Sequence, residues 1–119
     1  MKAIGVDMIE TERVAHSVAR FGDRYLQRVY TAGEPAYCNG RIPSLAARWA
    51  AKEAVGKALG TGIGDVAWQE IEVVNLPNSQ PTLQLHGAAA ARAAALGLTS
   101  FAVSLSHTKD HAIAFVVAE

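Results

Sequence analysis

The chain has 119 residues and a mass of 12.6 kDa, which is typical of one domain and too short for a second core of ordinary size. Half of the residues are hydrophobic and 18% are charged, a composition that excludes a disordered chain. The 11 Lys and Arg residues balance the 11 Asp and Glu residues, and this zero net charge argues against bulk nucleic-acid binding.

The first half of the chain is predicted to hold one strand followed by helices. The predicted strand covers 2–9, and the predicted helices cover 11–20, 23–29, 31–39 and 44–59. Thr31 and Glu34 have the spacing of a capping box. Pro43 opens the longest helix, and Gly60 ends it before a glycine-rich loop.

The second half is predicted to be mostly strands. A hairpin over 69–76 and 81–86 turns at 77–79, an Ala-rich helix covers 87–97, and strands over 99–106 and 111–118 turn at 108–110. This order predicts a single α+β domain over 1–119, with a mainly antiparallel sheet packed on the one long helix.

The sequence also indicates the cellular compartment of the protein. No apolar run approaches the roughly 18 residues that a membrane span needs, and the N-terminus lacks the apolar core of a signal peptide. Cys38 is the single cysteine, which excludes an internal disulfide and fits a reducing compartment. We therefore expect a cytoplasmic protein that binds neither membrane nor nucleic acid.

The zero net charge conceals an uneven distribution. Residues 1–60 hold nine Lys and Arg against six acids, whereas residues 61–119 hold two against five. Four arginines lie close together near the N-terminus: Arg13, Arg20, Arg24 and Arg28. They form either a solvated helix face or a docking surface for an acidic protein.

The long predicted helix carries an acid and a base on one face. Ala46, Ala50, Glu53 and Lys57 lie at i, i+4, i+7 and i+11. The small alanines would let another backbone approach closely, so the charges could lie in a cleft. The alternative is an ordinary exposed Glu53–Lys57 pair, which stabilises a helix by about 0.3–0.5 kcal/mol.

Asp7 is the most unusual residue of the first strand. Its neighbours Ile4, Val6, Met8 and Ile9 are apolar, and a buried unpaired carboxylate costs several kcal/mol. Asp7 therefore needs a metal ion, a basic partner, or a place at the strand end where it caps the next turn. Together with Glu53 it would supply two oxygen ligands of the kind that Mg²⁺ prefers, if the strand packs against the helix.

Two other segments carry weaker signals. The loop Gly60-Thr-Gly62-Ile-Gly64 follows a helix C-terminus, where the dipole repels anions, so a C-cap is the simpler interpretation than a phosphate cradle. His107 follows a predicted strand, where it would either donate to an anionic ligand or satisfy the backbone of the turn.

The motifs, taken together, resemble those of the holo-[acyl-carrier-protein] synthases, the small 4'-phosphopantetheinyl transferases. The resemblance is carried, in the family's order, by Ile4-Gly-Val-Asp7-Met-Ile-Glu10 with Arg13, Thr31-Ala-Gly-Glu34, Arg48-Trp-Ala-Ala-Lys52-Glu53-Ala-Val-Gly-Lys57-Ala-Leu-Gly60 and Ser104-Leu-Ser-His107-Thr. One departure is Gly56, where a larger residue is expected in many members.

The resemblance implies a fold, a reaction and a set of site residues. It implies that the chain transfers phosphopantetheine from coenzyme A to a serine of acyl carrier protein, for fatty acid or polyketide synthesis. Asp7 and Glu53 would bind Mg²⁺, and Glu53 and Lys57 would be catalytic. Coenzyme A would contact Lys57, Arg48, His107 and Gly62, and the carrier protein would dock on Arg13, Arg20 and Arg24. The resemblance also implies a homotrimer with active sites between subunits.

Two other classes of function stay open at this point. A non-catalytic module would hold coenzyme A or an acidic partner without transferring a group, although Asp7, Glu53 and Lys57 are all present. A nucleotide-hydrolysing enzyme is disfavoured, because the chain lacks a phosphate-binding loop of the Gly-Lys-Ser/Thr type.

Overall fold

The computed structural model describes residues 2–119. In chain order its elements are β1 (Ala3–Glu10), α1 (Thr11–Phe21), α2 (Asp23–Val29), α3 (Gly33–Cys38), α4 (Ile42–Leu59), β2 (Ile71–Asn75), β3 (Pro81–Leu85), α5 (Gly87–Ala95), β4 (Phe101–His107) and β5 (His111–Ala118). The predicted elements are confirmed in kind and order, with bounds shifted by a few residues. The largest difference precedes β2, where Trp68–Glu70 form a 3₁₀ turn instead of strand.

The strands form two antiparallel sheets. One has the order β1-β5-β4, and the other is the β2–β3 hairpin. In the first sheet Asp7 pairs with Ala114 and β1 continues to Glu10, so Asp7 lies in mid-strand. The interpretation of Asp7 as a cap at the strand end is therefore wrong. The α+β fold with mainly antiparallel strands around one long helix is confirmed.

Helix α4 is the centre of the molecule. Most of its residues are buried, because it packs against β1 and β5 on one side and against α1, α3 and β2 elsewhere. Small alanines at 46, 50, 51 and 54 form much of its buried surface. Gly5 of β1 lies so close to α4 that a Cβ there would be 2.8 Å from the carbonyl carbon of Ala54. The strand that carries Asp7 is thus in backbone contact with the helix that carries Glu53.

The ends of the helices follow the predicted signals in part. Glu34 accepts a hydrogen bond from the backbone N–H of Thr31 (2.9 Å), as in a capping box, but the Thr31 hydroxyl donates to Glu72 and α3 begins at Gly33. Gly60 ends α4 in the left-handed conformation, with φ of 75°. A Cβ at Gly56 would lie 3.0 Å from the backbone of Gly62, so the glycine at 56 lets the following loop fold back onto the helix.

Two further features bear on function. Cys38, at the end of α3, is a free thiol with no exposed surface. Within residues 2–119, no helix has both the length and the apolar composition that crossing a membrane requires.

Candidate active site

The site is built where β1 crosses α4. Alternate residues of β1 point to opposite faces, so Gly5, Asp7 and Ile9 face the helix while Ile4 and Met8 face outward. The Asp7 side chain is only 15% exposed. Burial of an aspartate in mid-strand requires a partner for its charge.

Lys57 supplies a partner for one oxygen of that carboxylate. Its Nζ donates to Asp7 Oδ1 (3.0 Å) and to the carbonyl oxygen of Val6 (2.9 Å). Within residues 2–119, no ion pair shorter than 4.0 Å involves Glu53. The alternative of an ordinary Glu53–Lys57 surface pair is therefore wrong, because Lys57 reaches across to β1 instead.

Glu53 lies one helical turn before Lys57 and is partly buried. Burial raises the pKa of the Glu53 carboxyl above its usual range, and the negative charge of Asp7 raises it further, while Lys57 opposes both effects. Asp7 thus lies close enough for its charge to act on Glu53. The packing of β1 on α4 brings these residues together although they are 46 positions apart in the sequence.

The donor set of this site fits a small divalent cation. Asp7 Oδ2 is buried and has no hydrogen-bond partner, so one carboxylate oxygen is left for a further ligand. Within residues 2–119 there is no group of three His, Cys, Asp or Glu side chains that would form a closed metal site. Mg²⁺ keeps several waters and is often held by one or two carboxylates together with substrate phosphates, so the pair Asp7 and Glu53 suits it.

Arg48 is buried between α3 and β2. Its side chain is 3% exposed, its guanidinium lies 4.6 Å from the centre of the Tyr37 ring, and its Nη2 donates to Asn75 Oδ1. The Nε atom is buried without a hydrogen-bond partner. The side-chain contacts of Arg48 are therefore made toward α3 and β2.

Gly62 lies in the loop that caps α4, whereas His107 is exposed at the end of β4. The N–H groups of Thr61 and Gly62 both donate to the carbonyl oxygen of Gly56, which makes the glycine loop a C-cap, as its position predicted. His107 is exposed at the end of β4, and the turn after it is satisfied by the Thr108 hydroxyl, which accepts from the N–H groups of Asp110 and His111. The imidazole of His107 makes no hydrogen bond within residues 2–119.

The N-terminal arginines lie on α1 and α2. Arg24 and Arg28 border a shallow cavity of about 230 Å³ together with Phe21 and Tyr25. Phe21 is 46% exposed, and the Arg20 guanidinium lies 5.4 Å from the centre of its ring. Arg13 lines a second cavity of about 400 Å³ beside the end of β1. This surface, formed by α1 and α2, combines positive charge with an exposed aromatic ring.

A buried ion pair was missed by the sequence reasoning. Lys52 Nζ donates to Glu34 Oε1 (2.7 Å), and neither side chain has exposed surface. Lys52 also donates to the carbonyl oxygens of Trp68 and Ile71, and Glu34 accepts from the N–H of Val73. Burial lowers the pKa of the Lys52 ammonium, and Glu34 opposes that shift.

A signal for this pair exists in the sequence. Leu45, Lys52 and Leu59 are spaced by seven residues and therefore share a helix face, which places a charge on an otherwise apolar stripe. A charged residue on such a stripe indicates a buried partner. The pattern does not say that the partner is Glu34.

One face of the larger sheet is apolar and exposed. The outward residues of β1 and β5 include Ile4, Val6, Met8, Ile113 and Phe115, whose exposed fractions run from 38% to 65%. Large contiguous apolar patches on a folded protein indicate an interaction surface.

The chain is similar to known proteins over nearly its whole length. The 4'-phosphopantetheinyl transferase superfamily matches residues 3–116. A holo-[acyl-carrier-protein] synthase of Herpetosiphon aurantiacus is 51% identical over 124 residues, which cover 98% of this chain and 98% of that protein. A synthase of the same name from Dehalococcoides mccartyi is 49% identical, covering 97% and 96%.

Solved structures of such synthases have the same fold. The Helicobacter pylori enzyme in complex with coenzyme A matches with a TM-score of 0.89 at 31% identity, covering 98% of this chain and 99% of that chain. The Bacillus anthracis enzyme in complex with coenzyme A (3',5'-ADP) gives a TM-score of 0.79 at 33% identity, covering 98% and 94%. Since the superfamily match spans nearly all of the sequence and the relatives match from end to end, the chain belongs to the 4'-phosphopantetheinyl transferase superfamily, as its motifs predicted.

Proposed function

We propose that this protein transfers the 4'-phosphopantetheine group from coenzyme A to a serine hydroxyl of apo acyl carrier protein. The observation that carries the proposal is the cluster at the β1–α4 crossing, where Asp7 pairs with the ammonium of Lys57 and its charge acts on the carboxyl of Glu53. Relatives of this chain are holo-[acyl-carrier-protein] synthases, and solved ones from Helicobacter pylori and Bacillus anthracis are complexes with coenzyme A.

Asp7 and Glu53 would hold a divalent cation, which we take to be Mg²⁺. The unpartnered Oδ2 of Asp7 supports this assignment, because a buried carboxylate oxygen without a hydrogen bond is costly unless something binds it. A cation there would supply positive charge to the pyrophosphate of coenzyme A.

Lys57 and Glu53 act on the reacting groups. The Lys57 ammonium pairs with a phosphate oxygen and holds the pyrophosphate in line with the attacking hydroxyl. The serine oxygen bonds to the β-phosphorus, the bond from that phosphorus to the oxygen of 3',5'-ADP breaks, and the serine proton moves to a base. Glu53, or a water held by the cation, would accept that proton.

Three residues are proposed to contact the rest of the nucleotide. His107 is exposed at the end of β4 with its ring free to donate to a phosphate. Gly62 already uses its N–H in the C-cap of α4, so its contribution would be the close approach that a missing side chain allows. Arg48 would need to turn its unpartnered Nε toward a phosphate while Tyr37 continues to support the guanidinium.

The surface of α1 and α2 is the proposed docking site for acyl carrier protein. Arg13, Arg20 and Arg24 supply positive charge for an acidic partner, and the exposed Phe21 ring supplies apolar area among them. We assign the reaction to fatty acid biosynthesis in the cytoplasm, where the buried free thiol of Cys38 would stay reduced.

The exposed sheet face is proposed to be covered by further copies of the chain in a homotrimer. The face carries Ile4, Val6, Met8 and Phe115, which a monomer would leave in water. A neighbouring copy on this sheet would also complete a cleft beside β1. Light scattering after gel filtration should give three times the mass of the chain, and Phe115→Lys should reduce it to that of a monomer. A wild-type monomer at micromolar concentration would refute the assembly.

The transfer reaction is tested by mass spectrometry. Purified protein is incubated with coenzyme A, Mg²⁺ and an apo acyl carrier protein, and the carrier should gain the mass of one phosphopantetheine group. Asp7→Asn and Glu53→Gln should each abolish the gain while keeping the far-UV circular dichroism of the wild type. Tight binding of coenzyme A with no gain of mass would instead indicate a non-catalytic binding module.

A further inference from the structure

We propose that Lys57 acts as an internal counter-cation for Asp7, which is exchanged for the divalent metal ion when the site is loaded. Lys57 would hold the Asp7 carboxylate in the metal-free protein and would become available to a phosphate only after releasing it. This inference concerns the regulation of the same site and rests on the proposed function.

The contacts of Lys57 make it the movable member of the pair. Two of the three donors of its ammonium are directed to β1, one to Asp7 Oδ1 (3.0 Å) and one to the carbonyl oxygen of Val6 (2.9 Å). The Lys57 side chain is 54% exposed, whereas that of Asp7 is 15% exposed. A flexible, half-exposed lysine can leave without disturbing the core, but Asp7 is fixed in mid-strand.

The arrangement makes the two cations compete for one carboxylate. Asp7 has one oxygen on the ammonium and the other without a hydrogen-bond partner. A divalent cation on that free oxygen would lie near the ammonium, and like charges at such short range repel strongly. Lys57 would then move to the phosphates of coenzyme A, where charge-assisted hydrogen bonds replace those that it loses.

Linkage gives this exchange a measurable consequence. Without nucleotide, Lys57 opposes metal binding because it occupies Asp7. Without metal, Asp7 opposes nucleotide binding because it occupies Lys57. Each ligand therefore removes an obstacle to the other, which produces positive coupling between them. Removing the lysine should strengthen metal binding alone while weakening nucleotide binding.

The first experiment measures Mn²⁺ binding by electron paramagnetic resonance in the absence of nucleotide. Lys57→Met should bind Mn²⁺ about tenfold more tightly than the wild type, within the ordinary range of coupling between sites. Lys2→Met is the matched control, since it removes the same charge from the first residue before β1, where the side chain is 77% exposed. Lys57→Met that binds no more tightly than Lys2→Met would overturn the proposal.

The second experiment separates direct contact from long-range repulsion. The chain contains four lysines, Lys2, Lys52, Lys57 and Lys109, so the ¹⁵N spectrum of their side-chain ammonium groups is simple. Lys57→Arg identifies the Lys57 signal by its absence. Adding Mg²⁺ should shift that signal and increase the hydrogen exchange of its ammonium, and adding 3',5'-ADP should shift it again. A Lys57 signal that stays unchanged through Mg²⁺ saturation would overturn the exchange.

The same assays keep this inference distinct from the proposed function. Asp7→Asn should bind Mn²⁺ at least tenfold more weakly than the wild type. If it binds equally well, the cation is not at Asp7, and both the metal assignment and the exchange fail. If Asp7→Asn loses Mn²⁺ and the carrier protein is modified, but the Lys57 signal does not respond to Mg²⁺, only the exchange fails.

Discussion

The contact between Gly5 and α4 can be tested by adding a single methyl group. In Gly5→Ala the new Cβ would overlap the carbonyl oxygen of Ala54 and would lie 2.8 Å from its carbon and 3.1 Å from the nitrogen of Ala58. All three atoms belong to a helix backbone, so they cannot rotate away as a side chain would. Overpacking of a core usually costs 1–3 kcal/mol, and this contact should reach about 3 kcal/mol.

Thermal unfolding followed by circular dichroism measures that cost. For a chain of this length, about 3 kcal/mol corresponds to a fall in Tm of roughly 12 °C. Phosphopantetheine transfer should also fall, because β1 would move away from α4 and take Asp7 with it. Gly33→Ala is the matched control, since its Cβ would meet only Glu72 Oε2 at 3.7 Å and its free energy of unfolding should change by less than about 1 kcal/mol. A Gly5→Ala protein with the Tm and activity of the control would refute the reasoning.

Three further variants test other parts of the structure. Glu53→Gln should be more stable than the wild type at pH 7.5, because folding raises the pKa of Glu53 and the wild type therefore loses stability as the pH rises through that pKa. The difference in stability should disappear below the unfolded pKa of about 4.5. Thermal melts that show the same difference at pH 7.5 and below pH 4.5 would contradict this reasoning. Arg13→Ala should raise KM for carrier protein far more than KM for coenzyme A, and steady-state kinetics with equal effects on both would reject docking at α1. Lys52→Met should lower the free energy of unfolding by about 3 kcal/mol, because it leaves the Glu34 carboxylate buried without its cation. In urea unfolding, adding Glu34→Gln should recover part of that loss. A double variant less stable than Lys52→Met would show that the unpaired charge of Glu34 does not cause the loss.

The local part of this fold was accessible to sequence reasoning. The apolar run over 2–9 predicted β1, and Pro43 with the helix-forming residues after it predicted α4. Gly60 marked the end of the helix because its left-handed conformation is one that glycine adopts without strain. Asp7 stood out because a carboxylate among apolar strand residues must have a partner. Each of these inferences uses interactions between residues within a few positions of one another.

The pairing of charges was not accessible in the same way. The helical spacing allowed Lys57 to pair with Glu53 four residues away, but Lys57 contacts Asp7 fifty residues away. That contact depends on how closely β1 approaches α4, which in turn depends on the missing side chain of Gly5. Likewise, the apolar stripe around Lys52 is a signal of burial that was not used, whereas the identity of Glu34 as its partner follows only from the packing of α3 on α4.

Because Cys38 is completely buried, the reactivity of its thiol reports how often the structure around it opens. The sequence contains one cysteine, which is the last residue of α3 and has no exposed surface. A thiol-specific reagent can therefore modify the native chain only while the structure around Cys38 is open, and burial slows the reaction further because it raises the pKa of the thiol. The rate of alkylation thus measures how often this region opens, without any label or added residue.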